Sequence, residues 1–262
     1  MAVATPPAAQ MTERQQQAAM RKAAKLRFSK ARIAEREYQR SLTSVGRQVG
    51  NIINGFTRAN PLGSHQEMQR TLESYSRLIE PWAQSVTQRM HAEVGWRDLR
   101  AWKALSNQIG KGLTVELAQA PVGVAFKKLM AEQVTLIKSL PLEAGQRVHE
   151  LTQQALVGGA RFDDIIPEIL RSGQVSVSRA KLIARTETAR TSSVLTQVRA
   201  EHVGSTHYEW ITAGDEAVRP EHRKLQGKII AWAEPPIAGS NGMRYHAGAG
   251  PNCRCYPSPI LL

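Results

Sequence analysis

Cysteine is almost missing: the chain has 2 in 262 residues. Both lie in the pentapeptide Pro251-Asn252-Cys253-Arg254-Cys255. A chain of 28.9 kDa can bury a core large enough to fold without staples, and two close thiols fit a reducing compartment better than a bridge. Strain disfavours a disulfide across a single residue, because the α-carbons of an extended i, i+2 pair lie too far apart. Aromatic residues are scarce as well, at 5%, and mean hydropathy is −0.36. This balance suits an elongated helical protein better than a sandwich or barrel. No apolar run reaches the roughly 18 residues that spanning a bilayer requires. The opening stretch MAVATPPAAQ lacks the basic start and apolar core of a secretory leader, so a cytoplasmic protein without a membrane partner is expected. Acidic residues are outnumbered, 22 against 35 basic ones, for a formal charge of +13. Such an excess points to a polyanionic partner, nucleic acid above all, or to a charged skin docked on an acidic protein.

What the chain does have is helical pattern. The stretch RKAAKLRFSKARIAEREYQR carries Arg21, Lys22, Lys25, Arg27, Lys30, Arg32, Arg36 and Arg40, opposed only by Glu35 and Glu37. Thr12 and Gln15 form a candidate capping box ahead of it. From Tyr38 onward the apolar positions Leu42, Val45, Val49, Ile52 and Phe56 alternate by four and three, so this half packs. The basic half shows only Met20, Leu26 and Ile33, and is expected to project as an arm, either solvated or following phosphates. Ser64 and Glu67 make a second capping box before a stripe from Met68 to Met90, with Pro81 placed to kink or divide that helix. The segment RANPLGS between the two reads as the turn of an αα-hairpin. Further helices are expected around Trp96–Ile109, after Pro121 and up to Pro141, over LEAGQRVHELTQQALVGG, and as a short glycine-capped piece in RFDDIIPEILRSG. His91 and His149 each stand alone on a helical pattern and read as ordinary surface or core side chains.

After residue 172 the character changes. A capped helix ending at Gly204 is followed by short alternating runs: HYEWITAG, with Tyr208 and Trp210 on one face; a short helix at Pro220; and GKIIAW. A Gly/Pro-rich loop and a terminal strand, CRCYPSPIL, complete the chain. The fold class expected is mainly α, an elongated helical N-terminal body followed by a small α+β C-terminal module. The parts are 1–60 (basic arm and long helix), 61–172 (helical body) and 173–262 (module).

The segments LIARTETAR, YEWITAGDEAVRPEHRKLQGKII and GPNCRCYPSPI bring Arg185, Thr186 and Glu187, then Trp210, Asp215, Arg219, His222 and Gly227, then the Asn-Cys-Arg-Cys run into one order over roughly ninety residues. In this the module resembles the phage Mu F-like minor head proteins, the phage head morphogenesis family. It departs from them in YHAGAGPN, which is Gly/Ala-rich where relatives often carry more prolines. The resemblance implies a structural protein of a tailed phage head, not an enzyme, acting in head morphogenesis. It further implies the portal protein, the major capsid protein or both, together with packaged double-stranded DNA, as partners. The implied location is the virion head near the portal vertex, and the host cytoplasm during assembly, with a possible part in genome ejection. The alternative is a metal-dependent nucleic-acid-processing or toxin-like enzyme delivered with the genome, with His222 as a base oriented by Asp215 and Arg219 or Arg185 steadying an anion.

The module's side chains leave two readings open. Asp215, His222, Cys253 and Cys255 offer a mixed S, N and O donor set acceptable to Zn²⁺, with His246 able to replace a non-sulfur ligand. Alternatively, the thiols face one side of a strand and pack as small hydrophobes. Arg185, Glu187, Asp215, Arg219 and His222 are expected to form a structural polar network in which Arg185 or Glu187 ties its helix to Asp215 or His222.

Overall fold

The computed structural model describes residues 11–59, 65–110, 112–158, 162–240 and 242–261. Among them, α1 runs Glu13–Ala59, α2 His65–Leu78, α3 Glu80–Gln108, α4 Thr114–Gln119, α5 Val122–Gly158 and α6 Phe162–His202. Then come β1 His207–Ile211, α7 Pro220–Arg223, β2 Ile229–Ala231 and β3 Tyr256–Pro259. The protein is mainly α, with long helices followed by a small α+β module. The expected Ser64 cap, most of the RANPLGS turn and the second glycine of the Gly158-Gly159 stop lie outside the described residues.

The start of α1 is the reciprocal cap that Thr12 and Gln15 suggest. The Thr12 N–H donates to Gln15 Oε1 at 2.8 Å, and the Gln15 N–H donates to Thr12 Oγ1 at 3.4 Å. Pro81 does divide its pattern: α2 stops at Leu78, and α3 begins with the proline in its first turn, where a missing N–H costs nothing.

Besides α3, which runs unbroken across the two helices expected up to Met90 and from Trp96, three features differ from the sequence expectation. The basic half of α1 packs instead of projecting: Met20, Ala24, Arg27, Ala31 and Ala34 are buried, whereas Leu26 and Ile33 are exposed. Alanine supplies the buried stripe, and alanine looks neutral in a hydrophobicity pattern. Second, α5 continues through Pro141. Ile137, Leu140, Ala144 and Val148 stay buried on both sides of it. That burial offsets a proline cost of about 3 kcal/mol. Ser76 Oγ donates to the Lys138 carbonyl in the turn the proline disturbs, at 2.9 Å. Third, α6 continues through Gly173. This glycine serves close approach instead of a cap, for a Cβ there would lie 2.6 Å from Gly50 Cα. One turn along each helix, a Cβ on Gly46 would lie 2.8 Å from Val177 Cα. The backbones of α1 and α6 thus cross at a patch that has no room for side chains.

The chain divides into two compact units. The all-helical unit takes Arg32–Val94 and Phe126–Thr191, and Val49, Ile53, Met68, Leu72, Ala144, Val148 and Ile169 form a core in it. The other takes Met1–Ala31, Gly95–Ala125 and Ser192–Leu262. Its sheet has the order β2-β1-β3, antiparallel throughout, with Tyr208 opposite Ile230 and Pro259, and Trp210 opposite Pro257. Prolines are tolerated in β3 because it is an edge strand. Alternation turns Tyr208 and Trp210 inward together, onto Met20, Trp102, Trp232, Cys253 and Cys255.

Candidate functional site

The thiols are brought together by a tight turn. Pro251 and Asn252 occupy its corners, the Cys253 N–H closes it onto the Gly250 carbonyl at 3.1 Å, and Asn252 sits at φ 54. Asparagine tolerates that left-handed conformation. The chain leaves the turn extended, so residues 253 and 255 point the same way while Arg254 points opposite. Both thiols are free and buried.

Facing them is His222, on the four-residue helix α7 that Pro220 opens. Its Nδ1 lies 3.7 Å from Cys253 Sγ and 3.4 Å from Cys255 Sγ. Its Nε2 lies 3.1 Å from the Ala238 carbonyl. A carbonyl can only accept, so the proton sits on Nε2 and Nδ1 presents a lone pair to the sulfurs. The Tyr245 hydroxyl stands 3.1 Å from the same Nε2 and donates to the Ala238 carbonyl at 2.8 Å. Gly250 leaves space for that ring: a Cβ on it would lie 2.4 Å from Tyr245. Trp210 closes another side, edge-on to the imidazole at 5.5 Å. All three donor side chains are at most 2% exposed.

The two sulfurs share their protons unequally. A hydrogen bond from the Cys255 thiol, opposed by burial, draws the Cys253 thiol below its ordinary range. The same bond, with burial, pushes Cys255 well above its ordinary range. A cavity of about 70 Å³ reaches the sulfurs between Val218, Arg219, Asn252 and Arg254.

The other expected site residues go elsewhere. Asp215 is exposed and pairs with Arg254 at 2.5 Å, so it is not beside the sulfurs and does not cap α7. Arg219 donates to the Pro251 carbonyl at 2.5 Å and steadies the cysteine turn. His246 bonds the Tyr208 hydroxyl through Nδ1 at 3.2 Å, and burial lowers its pKa. The expected tie from Arg185 or Glu187 to Asp215 or His222 is replaced by other partners. Arg185 pairs with Glu35 at 3.6 Å. Glu187 accepts from Gln133 at 3.1 Å and from Arg190 at 3.5 Å, and burial raises its pKa. Since the Gln133 amide nitrogen donates to Glu187, its oxygen accepts from His91 Nε2–H at 2.7 Å. The network is thus a helix-to-helix lock within the all-helical unit.

Of the eight basic residues singled out between Arg21 and Arg40, Lys22, Lys25, Lys30, Arg32, Arg36 and Arg40 are exposed. Arg21, also exposed, pairs with Glu209 at 2.6 Å. Arg27 is 4% exposed. It stands 3.8 Å from Asp98 and packs its guanidinium over Trp102, 4.7 Å from the ring centre. Arg199 is buried on the same carboxylate. No phosphate can reach either residue in this fold. The spacing contained the signal: Met20, Ala24, Arg27, Ala31, Ala34, Tyr38 and Leu42 continue one seam by steps of three and four, and Arg27 falls on it.

No helix among the described residues is long and apolar enough to cross a membrane. Residues 146–257 match the family described as Phage Mu protein F like protein. An uncharacterized protein of Haemophilus influenzae is 33% identical over 172 residues, 65% of this chain and 36% of that protein. The minor head protein GP7 of Bacillus phage SPP1 is 28% identical over 138 residues, 49% of this chain and 42% of its own length. The chain therefore spans less than half the length of these curated relatives. No solved structure matches it.

Proposed function

From the match of residues 146–257 to the family described as Phage Mu protein F like protein, we propose that the chain is a minor structural protein of a tailed-phage head. It acts in head morphogenesis beside the portal vertex and in contact with packaged DNA. The family match carries this reading, and the similarity to a minor head protein supports it. The module's own construction agrees with a structural role. Asp215, Arg219 and Arg254 are spent on holding loops, and His222 points its only bare nitrogen at two buried sulfurs. A head assembled without this chain should be defective, and the chain should sediment with heads or portal complexes. Heads of normal composition, stability and DNA content made in its absence would refute the assignment.

The DNA contact falls to the outer face of α1. At about 100° per residue, Lys22, Lys25, Arg32, Arg36 and Arg40 fall within an arc of about 80°, and all five are exposed. Each phosphate neutralised contributes about 0.9 to the slope of log affinity against log salt. Replacing Lys25, Arg32 and Arg36 by glutamine should flatten that slope by about 2 to 3 while the thermal melt stays unchanged. An unchanged slope would remove α1 from the interface. Substitution is the correct probe, because deleting the basic stretch would remove Met20, Ala24 and Arg27 from a packed interior.

A further inference from the structure

We propose that His222, Cys253 and Cys255 bind one Zn²⁺ ion, with water from the adjoining cavity completing a tetrahedral shell. Zinc–sulfur bonds of about 2.3 Å and a zinc–nitrogen bond of about 2.0–2.1 Å at tetrahedral angles place nitrogen and sulfur about 3.5 Å apart. The Nδ1–Sγ distances are 3.4 and 3.7 Å, and all three donor atoms lie within 4.8 Å of one another. Thiol-to-imidazole hydrogen bonds span the same separations, and these are the contacts the protonated, metal-free site would hold.

Three further features suit an ion. The imidazole is fixed by its second nitrogen, bonded to the Ala238 carbonyl beside the Tyr245 hydroxyl, the outer support that metal-binding histidines usually have. Two thiolates neutralise the charge of Zn²⁺, so the centre is electrically neutral, as burial at this depth demands. Binding to the thiol form releases two protons to solvent and forms two zinc–sulfur bonds, with no redox change. Among first-row ions, a set of two sulfurs and one nitrogen favours zinc. The cavity beside the sulfurs, about 70 Å³, exceeds the roughly 30 Å³ share of one water. Asp215, held by Arg254, is not a ligand.

The test uses the full chain, purified without a histidine tag under reducing conditions. Elemental analysis should find one zinc per chain, retained on dialysis. Cobalt(II) added to zinc-free protein should give the intense visible bands of a tetrahedral site and a near-ultraviolet thiolate charge-transfer band, and one equivalent of zinc should abolish both. Stripping the metal with a chelator should lower the melting midpoint, and zinc should restore it. Cys253→Ser, Cys255→Ser and His222→Ala should each lose the metal, whereas Asp215→Asn should keep it. If the cysteine variants fail to fold, the cobalt spectrum of the unaltered chain decides. Protein that takes up no zinc and shows no thiolate charge transfer with cobalt would overturn the assignment. So would stoichiometric zinc that persists in a folded Cys253→Ser, Cys255→Ser double variant.

Discussion

Gly173→Ala is expected to destabilise the all-helical unit by about 3 kcal/mol or more, although it exchanges a poor helix former for the best one. Nonbonded carbons rest about 3.5–4.0 Å apart, whereas the new methyl would sit 2.6 Å from Gly50 Cα. Backbone cannot swing aside as a side chain can, so the helices must part by about 1 Å and loosen the contacts beside the crossing. The intrinsic helical gain, about 0.5–1 kcal/mol, only partly offsets this. For a chain of this size the melting midpoint should drop by roughly 6–12 °C. The neighbouring glycines give a graded control. Gly46→Ala meets Val177 backbone at 2.8 Å and should cost nearly as much, while Gly50→Ala meets Gly173 Cα at 3.4 Å and should cost less. Gly55, also inside α1, has nothing within 4 Å of its Cβ position, so Gly55→Ala should stabilise by about 0.5–1 kcal/mol. Thermal melts of the four variants would test the pattern. Equal effects at 55 and 173 would show that helix propensity, and not close approach, sets the stability there.

The second large effect concerns Asp98. Two guanidiniums share this carboxylate, and the terminal nitrogens of Arg27 have no hydrogen-bond partner among the described residues. Burial lowers Arg27 to about 10, with Asp98 pulling the other way. At neutral pH Arg27 is charged in both the folded and unfolded states, so its burial cost is felt in full. Burial likewise raises the pKa of Asp98, opposed by Arg199 and then Arg27. Asp98→Ala would leave two buried cations facing each other, and a loss of about 3–5 kcal/mol is expected. The triple change Arg27→Met, Asp98→Leu, Arg199→Met removes all three charges together and should be near neutral or stabilising. Chemical denaturation of the two variants separates the value of the triad from the cost of breaking it. If Asp98→Ala were tolerated, the arginines would have to be solvated in a way the packing around Trp102 does not suggest.

These two sites also show what the sequence could and could not reveal. Local signals were legible: the Thr12–Gln15 cap, the division at Pro81, the inward pair Tyr208 and Trp210, the helix opened by Pro220, and the shared direction of Cys253 and Cys255. Each depends on residues a few positions apart. Features set by distant partners were not. Gly173 and Pro141 carry the marks of helix ends, and only the surfaces packed against them decide otherwise. Arg27 reads as surface charge because nothing local announces Asp98. At the cysteine cluster, the sequence supplied the donor types, and the fold kept three of the four, since Arg254 holds Asp215 away. The bonds that fix the tautomer of His222 come from a carbonyl and a tyrosine hydroxyl in the long Gly/Pro-rich loop, where no motif marks them.

The unit that holds the sheet gathers residues 11–31, 95–125 and 192–261, and its final strand lies directly against its first. During synthesis it therefore cannot close until residues 256–259 have cleared the ribosome, whereas every segment of the helical unit has emerged soon after residue 191. The two should mature in sequence, helices first. A translational stall or nonsense lesion between residues 192 and 256 would then release a chain with a finished helical bundle and an open, aromatic-lined partner, a natural target for chaperones and proteases.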